Sequence, residues 1–456
     1  PFSPIVGTVI DGRYFAFVVN RQAAWQNLVN SLSQVGPANV PGGAGITVVA
    51  PNATTYNDTS FTAQIDGFAI SASRGLGGGG VHVHAYARNL QITNNILEDN
   101  TGYHGGGISL GRPTAEGGLA NNENDNIRIV RNRVLSNGGV FFAGGIGIFN
   151  GADNYELGNN DICGNYSLEY GGGLSHFGFS PNASIHDNWI YNNDSFDEGG
   201  GIIITGDLGV NPPLGSSPGA VTIERNLLQT NVSNDDGGGI QLLNPLQSPI
   251  RIHNNIIANN VAGDIGGGIS LDNGSDVTIT NNTIVGNVST HTAVDSIFGE
   301  AHSAGLVTTP FSAPFIATLP PGSPTYGNPV LFNNIFWDNL AYRWDAPNLQ
   351  LVPAAFIDLE VFTGAPGQCL QPSNSFLSVA YGAGANCTNT HPSNIVGNPT
   401  DLTGLTWAID PLFVQRLAAS LLDIQASPLR TELNTIFLQL VRPQGAPFGL
   451  SDFHLQ

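Results

Sequence analysis

The chain has 456 residues, with 34 acidic residues against 14 basic ones and a formal net charge of −20. All 14 basic residues are Arg, because the sequence contains no Lys. So acidic a chain repels nucleic acid phosphates and repels polyanionic glycans unless cations bridge the two. It holds no apolar run of about 18 residues, so no membrane span is expected.

In chain order, Pro1 begins a sequence without any Met, which reads as a longer, exported precursor that has been trimmed. The stretch "RQAAWQNLVNSLSQVG" at 21–36 places Trp25, Leu28, Val29 and Leu32 on one helical face, with Gly36 as a stop signal. A short helix there would cover an open strand edge, giving an N-terminal cap over 1–44.

From 45 to 340 the chain repeats a word. Pairs of Asn stand five residues apart, with the first at Asn95, Asn132, Asn160, Asn188, Asn226, Asn255, Asn282 and Asn334. Successive words lie 27–29 residues apart where nothing is inserted, and 37, 38 or 52 apart elsewhere. Glycine words lead into Ile108, Ile146, Leu174, Ile202, Ile240 and Ile269. Between them apolar residues alternate, as in Val221 and Ile223 or Val277 and Ile279. Alternation predicts strands, and three short strands close one coil. Stacked coils put equivalent Asn residues about 4.8 Å apart, so these eight form a structural amide ladder.

The stretch 291–328 is rich in Pro, Ser and Gly and reads as a loop insertion. Residues 341–456 read as C-terminal coils and excursions, with a helical segment within 413–445. Cys369 and Cys387 flank a Pro-, Ser- and Gly-rich loop and could pair in an oxidising compartment, while Cys163 is a lone thiol. Three free thiols are the alternative.

The words resemble a known pattern. Aliphatic-x-x-Asn with Gly-Gly-small-aliphatic is similar to the FxxN and GGA[ILV] repeats of polymorphic outer-membrane adhesins, and "FWDN" at 336–339 matches FxxN fully. More broadly, the chain resembles secreted right-handed parallel β-helix proteins of the pectate-lyase superfamily. "IDGFAIS" at 65–71 is similar to their opening coils, and "DPLFV" at 410–414 and "FGLSDFHLQ" at 448–456 to their closing ones. The resemblance implies an all-β fold, a single right-handed parallel β-helix of about ten to twelve coils. It leaves function open, since lyases, hydrolases, epimerases and adhesins share this fold.

Two residues before the glycine triplets at 171, 199, 237 and 266 stand Glu169, Asp197, Asp235 and Asp264, with Glu198 and Asp236 beside them. They should form a column, and like charges facing each other across strands need compensation. The alternatives are a solvated turn, a Ca²⁺ site, or catalytic carboxylates. Neighbouring coils separate such groups by about 5 Å and alternate coils by about 9–10 Å. Both spacings overlap those of glycosidases. A second column, His186, Glu224 and His253, with Asp187 beside Arg225, is either a transition-metal site or an ion-pair stripe. Lyases of this fold use an Arg or Lys base with Ca²⁺. Here Arg128, Arg225 and Arg251 are scattered, without a lyase signature.

Trp189 and Tyr191 should face outward together, as should Trp337, and could stack on glycans. The sequons at Asn165, Asn193, Asn231 and Asn287 coincide with the repeat and should face inward. Those at Asn52, Asn57, Asn182, Asn273 and Asn386 are the better acceptors.

The sequence therefore points to an extracellular or cell-surface structural or adhesive protein that requires no cofactor, with Ca²⁺ at the acidic column as one option. Its expected partners are copies of itself, other extracellular proteins, or glycans. The alternative is a polysaccharide lyase or glycoside hydrolase.

Overall fold

The structure is a computed structural model. It describes residues 8–14, 21–31, 40–49, 62–113, 122–206, 214–293, 300–345, 347–348, 350–381, 387, 391–398, 411, 423–427 and 437–441. These fall into two compact units. One comprises Pro1–Phe196, Ile202–Asn226 and Ser248–Ile250; the other comprises Asp197–Gly201, Leu227–Gln247 and Arg251–Gln456.

In the first unit a representative coil runs through the strands Gln91–Thr93, Ile96–Glu98, Thr101–Gly102 and Ile108–Leu110. Each pairs in parallel with its equivalent in the next coil: Arg128–Val130, Arg133–Leu135, Gly138–Gly139 and Ile146–Phe149. The three expected strands per coil are thus joined by a fourth, two-residue segment. Parallel pairing in register stacks like on like, so Ile92, Ile129, Leu157 and Ile185 form one buried file and Leu97, Val134, Ile162 and Ile190 another.

The second unit repeats the scheme. Leu227–Gln229, Ile256–Ala258, Thr283–Val285 and Ile335–Trp337 pair in sequence, as do Ile240–Leu246, Ile269–Gly274, Leu306–Thr308 and Leu359–Val361.

The doubled Asn has a conformational cause. The residue before each ladder Asn is left-handed, for example Asn94 (φ 56), Asn159 (φ 56), Asn254 (φ 57) and Asn281 (φ 58). Asn tolerates this corner better than most residues because its short side chain bonds locally. The second Asn then turns inward. In the first unit Asn95 Nδ2 donates to Asn132 Oδ1 at 3.0 Å and to the Ile65 carbonyl at 2.8 Å. The file continues Asn132, Asn160, Asn188, Asn226 with amide bonds of 2.9–3.1 Å. The Asn five residues on makes its own column through Asn100, Asn137, Asn165 and Asn193. In the second unit Asn255, Asn282 and Asn334 form one file, and Asn231, Asn260, Asn287 and Asn339 the other. That second file ends on Asp358, whose carboxylate accepts from Asn339 Nδ2 at 2.9 Å.

Several expectations are corrected. The helix spans Arg21–Ser31 and Trp25 Nε1 donates to the Val40 carbonyl, yet Leu28 is 55% exposed. The stretch 291–328 is not loop throughout. Leu306–Thr308 is a coil strand, and Ala313–Ile316 is a helical turn. Within 413–445, Asp423–Ser427 and Phe437–Val441 pair as antiparallel strands where a helix was expected; the rest lies outside the described residues. So do Asn52, Asn57, Asn386, "FGLSDFHLQ", and "DPLFV" apart from residue 411. Asn273 is buried rather than an open acceptor: it donates to Asn244 and accepts from the Ser312 N–H. Cys369 and Cys387 are bonded, with Cα atoms 5.6 Å apart, and Cys163 is a free cysteine.

Candidate functional site: a row of carboxylates and imidazoles

In the second unit, Val232–Ser233, Val261–Ala262 and Val288–Ser289 stack in register. Two residues beyond each pair stand Asp235, Asp264 and His291. Backbone bonds hold the file: the Asp235 N–H donates to the Asp197 carbonyl at 3.2 Å, and the Asp264 N–H to the Asp235 carbonyl at 3.0 Å. Asp197, Asp235 and Asp264 are therefore aligned, and His291 takes the next place.

What converges differs from the expected column. Asp235, Asp236 and Asp264 each offer a carboxylate oxygen, all within 4.8 Å of one another. Glu169 belongs to the first unit, and Asp197 is outside this trio. The cause is the left-handed glycine after Asp236 (Gly237, φ 65). The chain folds back there over the strand Ile240–Leu246, so the residue before the glycine is half-buried. In the next coil Gly266 (φ 67) does the same after Ile265, an apolar residue suited to that place. In the first unit the corresponding position holds Tyr170, bridged to Phe142.

The same position holds Glu198 before the left-handed Gly199 of the preceding coil, so acidic and apolar residues both occupy it. Burial first, then the charges of Asp235, Asp264 and Glu198, push the Asp236 pKa well above the carboxylate range. Its Oδ1 accepts from the Ile265 N–H at 3.3 Å.

The row continues. His291 Nδ1 stands 2.5 Å from Asp264 Oδ1. The His291 and His302 rings are 4.4 Å apart, with Phe362 edge-on to His302 at 4.8 Å. His302 Nδ1 donates to Glu360 Oε1 at 2.8 Å, and Glu360 Oε2 accepts from the Ser303 N–H at 2.7 Å. Burial works against charge on His302, but the Glu360 bond and charge, with Asp264 and Glu300 behind them, outweigh it and raise its pKa. Glu360 also lines a cavity of about 420 Å³ with Asp358, Gln368 and Tyr381. Sequence reasoning missed His291, His302 and Glu360. The signal was register: His291 follows Val288 by the same three residues that separate Asp264 from Val261.

The second column reads as ion pairs in the first unit. His186 lies 3.4 Å from Glu156 and 2.8 Å from Asp187, and Arg225 lies 3.0 Å from Asp187 and 2.6 Å from Glu224. Arg128 pairs with Glu156 at 2.6 Å. His253, in the second unit, accepts from Asn254 at 3.2 Å.

Of the aromatic residues, Trp189 is 48% exposed. Tyr191 is not an open platform: it is half-buried, and burial together with Cys163 and Asp161, which its hydroxyl contacts, raises its pKa. Trp337 is fully buried, packed with Ala258 and Val285 and edge-on to Phe376 at 5.1 Å.

The first unit also buries imidazoles that sequence reasoning passed over. His82 and His84 stand 5.9 Å apart, and His176 bonds to the Tyr155 hydroxyl at 3.0 Å.

The family model of a right-handed β-helix region matches residues 218–304. With the stacked parallel sheets, this defines a right-handed parallel β-helix repeat protein. No curated protein and no solved structure matches the chain.

Proposed function

We propose that the chain is a structural or adhesive protein of the cell exterior that works by presenting the outer faces of its coils. The observation that carries this reading is where the repeat places its polar groups. The paired Asn columns, which make up most of the repeated polarity, are buried and bonded to one another and to backbone carbonyls. Outside lie ion pairs such as Arg225 with Asp187 and exposed aromatics such as Trp189 and the contacting Tyr103 and Phe141. The bonded Cys369 and Cys387 favour an oxidising compartment. Partners on this reading are other copies, extracellular proteins or glycans.

One observation favours a glycoside hydrolase: the Asp235, Asp236 and Asp264 oxygens approach within 4.8 Å, close to the roughly 5 Å of retaining carboxylate pairs. The burial of Asp264 and its engagement by His291 argue against it, because catalytic carboxyls must reach the sugar. A glycan array combined with an assay for released reducing or unsaturated sugars decides between them. Scaffold function gives no release from pectin, alginate or neutral glycans, whereas release lost on Asp235→Asn establishes the enzyme.

A further inference from the structure

Beneath the turn that carries Asp235 and Asp236 lies an amide with nothing to bond. Gln241, on the outer side of the strand Ile240–Leu246, is 1% exposed, and neither its Oε1 nor its Nε2 has a hydrogen-bond partner. Its neighbour in register, Ser270, is equally enclosed, and its hydroxyl is also unpartnered. The turn itself covers Gln241: a Cβ placed on Gly237, the residue after Asp236, would stand 2.8 Å from Gln241 Oε1. Buried polar groups left unsatisfied are costly and rare. An orphaned amide oxygen on the strand therefore lies under the same turn that carries the knot of carboxylates, and both lack the same thing, a positive charge between them.

We propose that Asp235, Asp236 and Asp264, with the amide oxygen of Gln241, bind a hard divalent cation of the Ca²⁺ class. Ca²⁺ accepts carboxylate and amide oxygens at about 2.4 Å, so a pair of its ligands stands at most about 4.8 Å apart. The three carboxylates meet that limit. The donors are all oxygen, which selects Ca²⁺ over thiolate- or imidazole-seeking metals. His291 stays outside the set, holding Asp264 in place from the far side. The ligands are thus two adjacent acids on one coil and one on the next, not one acid from each of four coils. The site stands whether the protein is adhesive or catalytic.

Calorimetry on the chelator-treated full chain, with CaCl₂, MnCl₂ and ZnCl₂ in separate titrations, tests it. The expected result is a Ca²⁺ isotherm, a melting temperature that rises with Ca²⁺ by mass action, and loss of both in Asp235→Asn/Asp236→Asn. That double variant should fold, because it removes like-charge repulsion; in chelator its melting temperature should equal or exceed that of the parent. Gln241→Leu should weaken Ca²⁺ by about tenfold or more, while Glu169→Gln leaves it unchanged. No Ca²⁺ heat at millimolar concentration, binding unchanged in either carboxylate or Gln241 variants, or Zn²⁺ binding tighter than Ca²⁺ and lost on His291→Gln would each overturn the proposal.

Discussion

Asp264 and His291 form a buried pair across adjacent coils: Oδ1 and Nδ1 are 2.5 Å apart, with the residues only 7% and 1% exposed. Removing one partner strands the other in a poorly solvated place. His291→Phe should therefore cost about 3 kcal/mol or more, the range for breaking a buried pair. Urea unfolding midpoints measure it, and a loss within experimental error would show that the pair contributes nothing.

The amide ladder makes a sharper demand. Asn255 Nδ2 donates to Asn282 Oδ1 at 3.1 Å, and the Asn255 N–H donates to the same oxygen at 2.9 Å. In Asn255→Leu the side-chain donor disappears, so Asn282 Oδ1 keeps only the backbone N–H and the His253 carbonyl loses its bond from Nδ2, at roughly 1–3 kcal/mol for each buried group left unsatisfied. An unchanged thermal melt would show that the ladder does not stabilise the stack.

Stability should vary with pH at two separable positions. Burial lifts Asp194 from 3.8 to about 7. Its folded pKa exceeds the unfolded one, so its contribution is complete below about 4 and is lost as pH rises through 7. Burial lowers His176 from 6.5 to about 4, its two carbonyl bonds opposing. There the contribution is complete above 6.5 and is lost as pH falls toward 4. Melting temperature against pH should flatten on the alkaline side in Asp194→Asn and on the acid side in His176→Gln. Parallel curves for variant and parent would refute both assignments.

The two tryptophans should behave oppositely. Trp337→Ala opens a cavity among Ala258, Val285 and Phe376 and should cost about 3–5 kcal/mol. Trp189→Ala touches an exposed side chain and should stay within about 0.5 kcal/mol. Denaturant titration of the pair checks both, and equal effects would contradict the burial described.

Much of the fold was legible because the five-residue spacing of Asn marks two corners per coil, and each corner needs the same chemistry. The crowding of Asp236 was not legible. Whether Asp236 faces water or the strand beneath depends on the left-handed Gly237, and a glycine in a sequence does not announce its φ. His291 was hidden for another reason: the glycine triplet that flags other coils is replaced by "SAGL" at 303–306, after an insertion. The Ser303–Gly305 backbone nonetheless continues the stack, with the Gly266 and Gly268 N–H groups donating to the Ser303 and Ala304 carbonyls. Alternation set Trp337 on the outer side of its strand as an open aromatic face, whereas it is buried there, with Phe376 edge-on from a segment without repeat words.

The ladder is indifferent to how much chain separates its members. Asn255 reaches Asn282 across 27 positions at 3.1 Å, and Asn282 reaches Asn334 across 52 at 3.2 Å. Lengthening a closed loop about twofold costs only about 0.6 kcal/mol, less than one ladder bond left unmade. New material can therefore be spliced between words while the strands keep their register. For a lineage, this lets the exterior diversify without re-solving the interior; for a designer, the gap between 282 and 334 is a ready graft site for a foreign peptide.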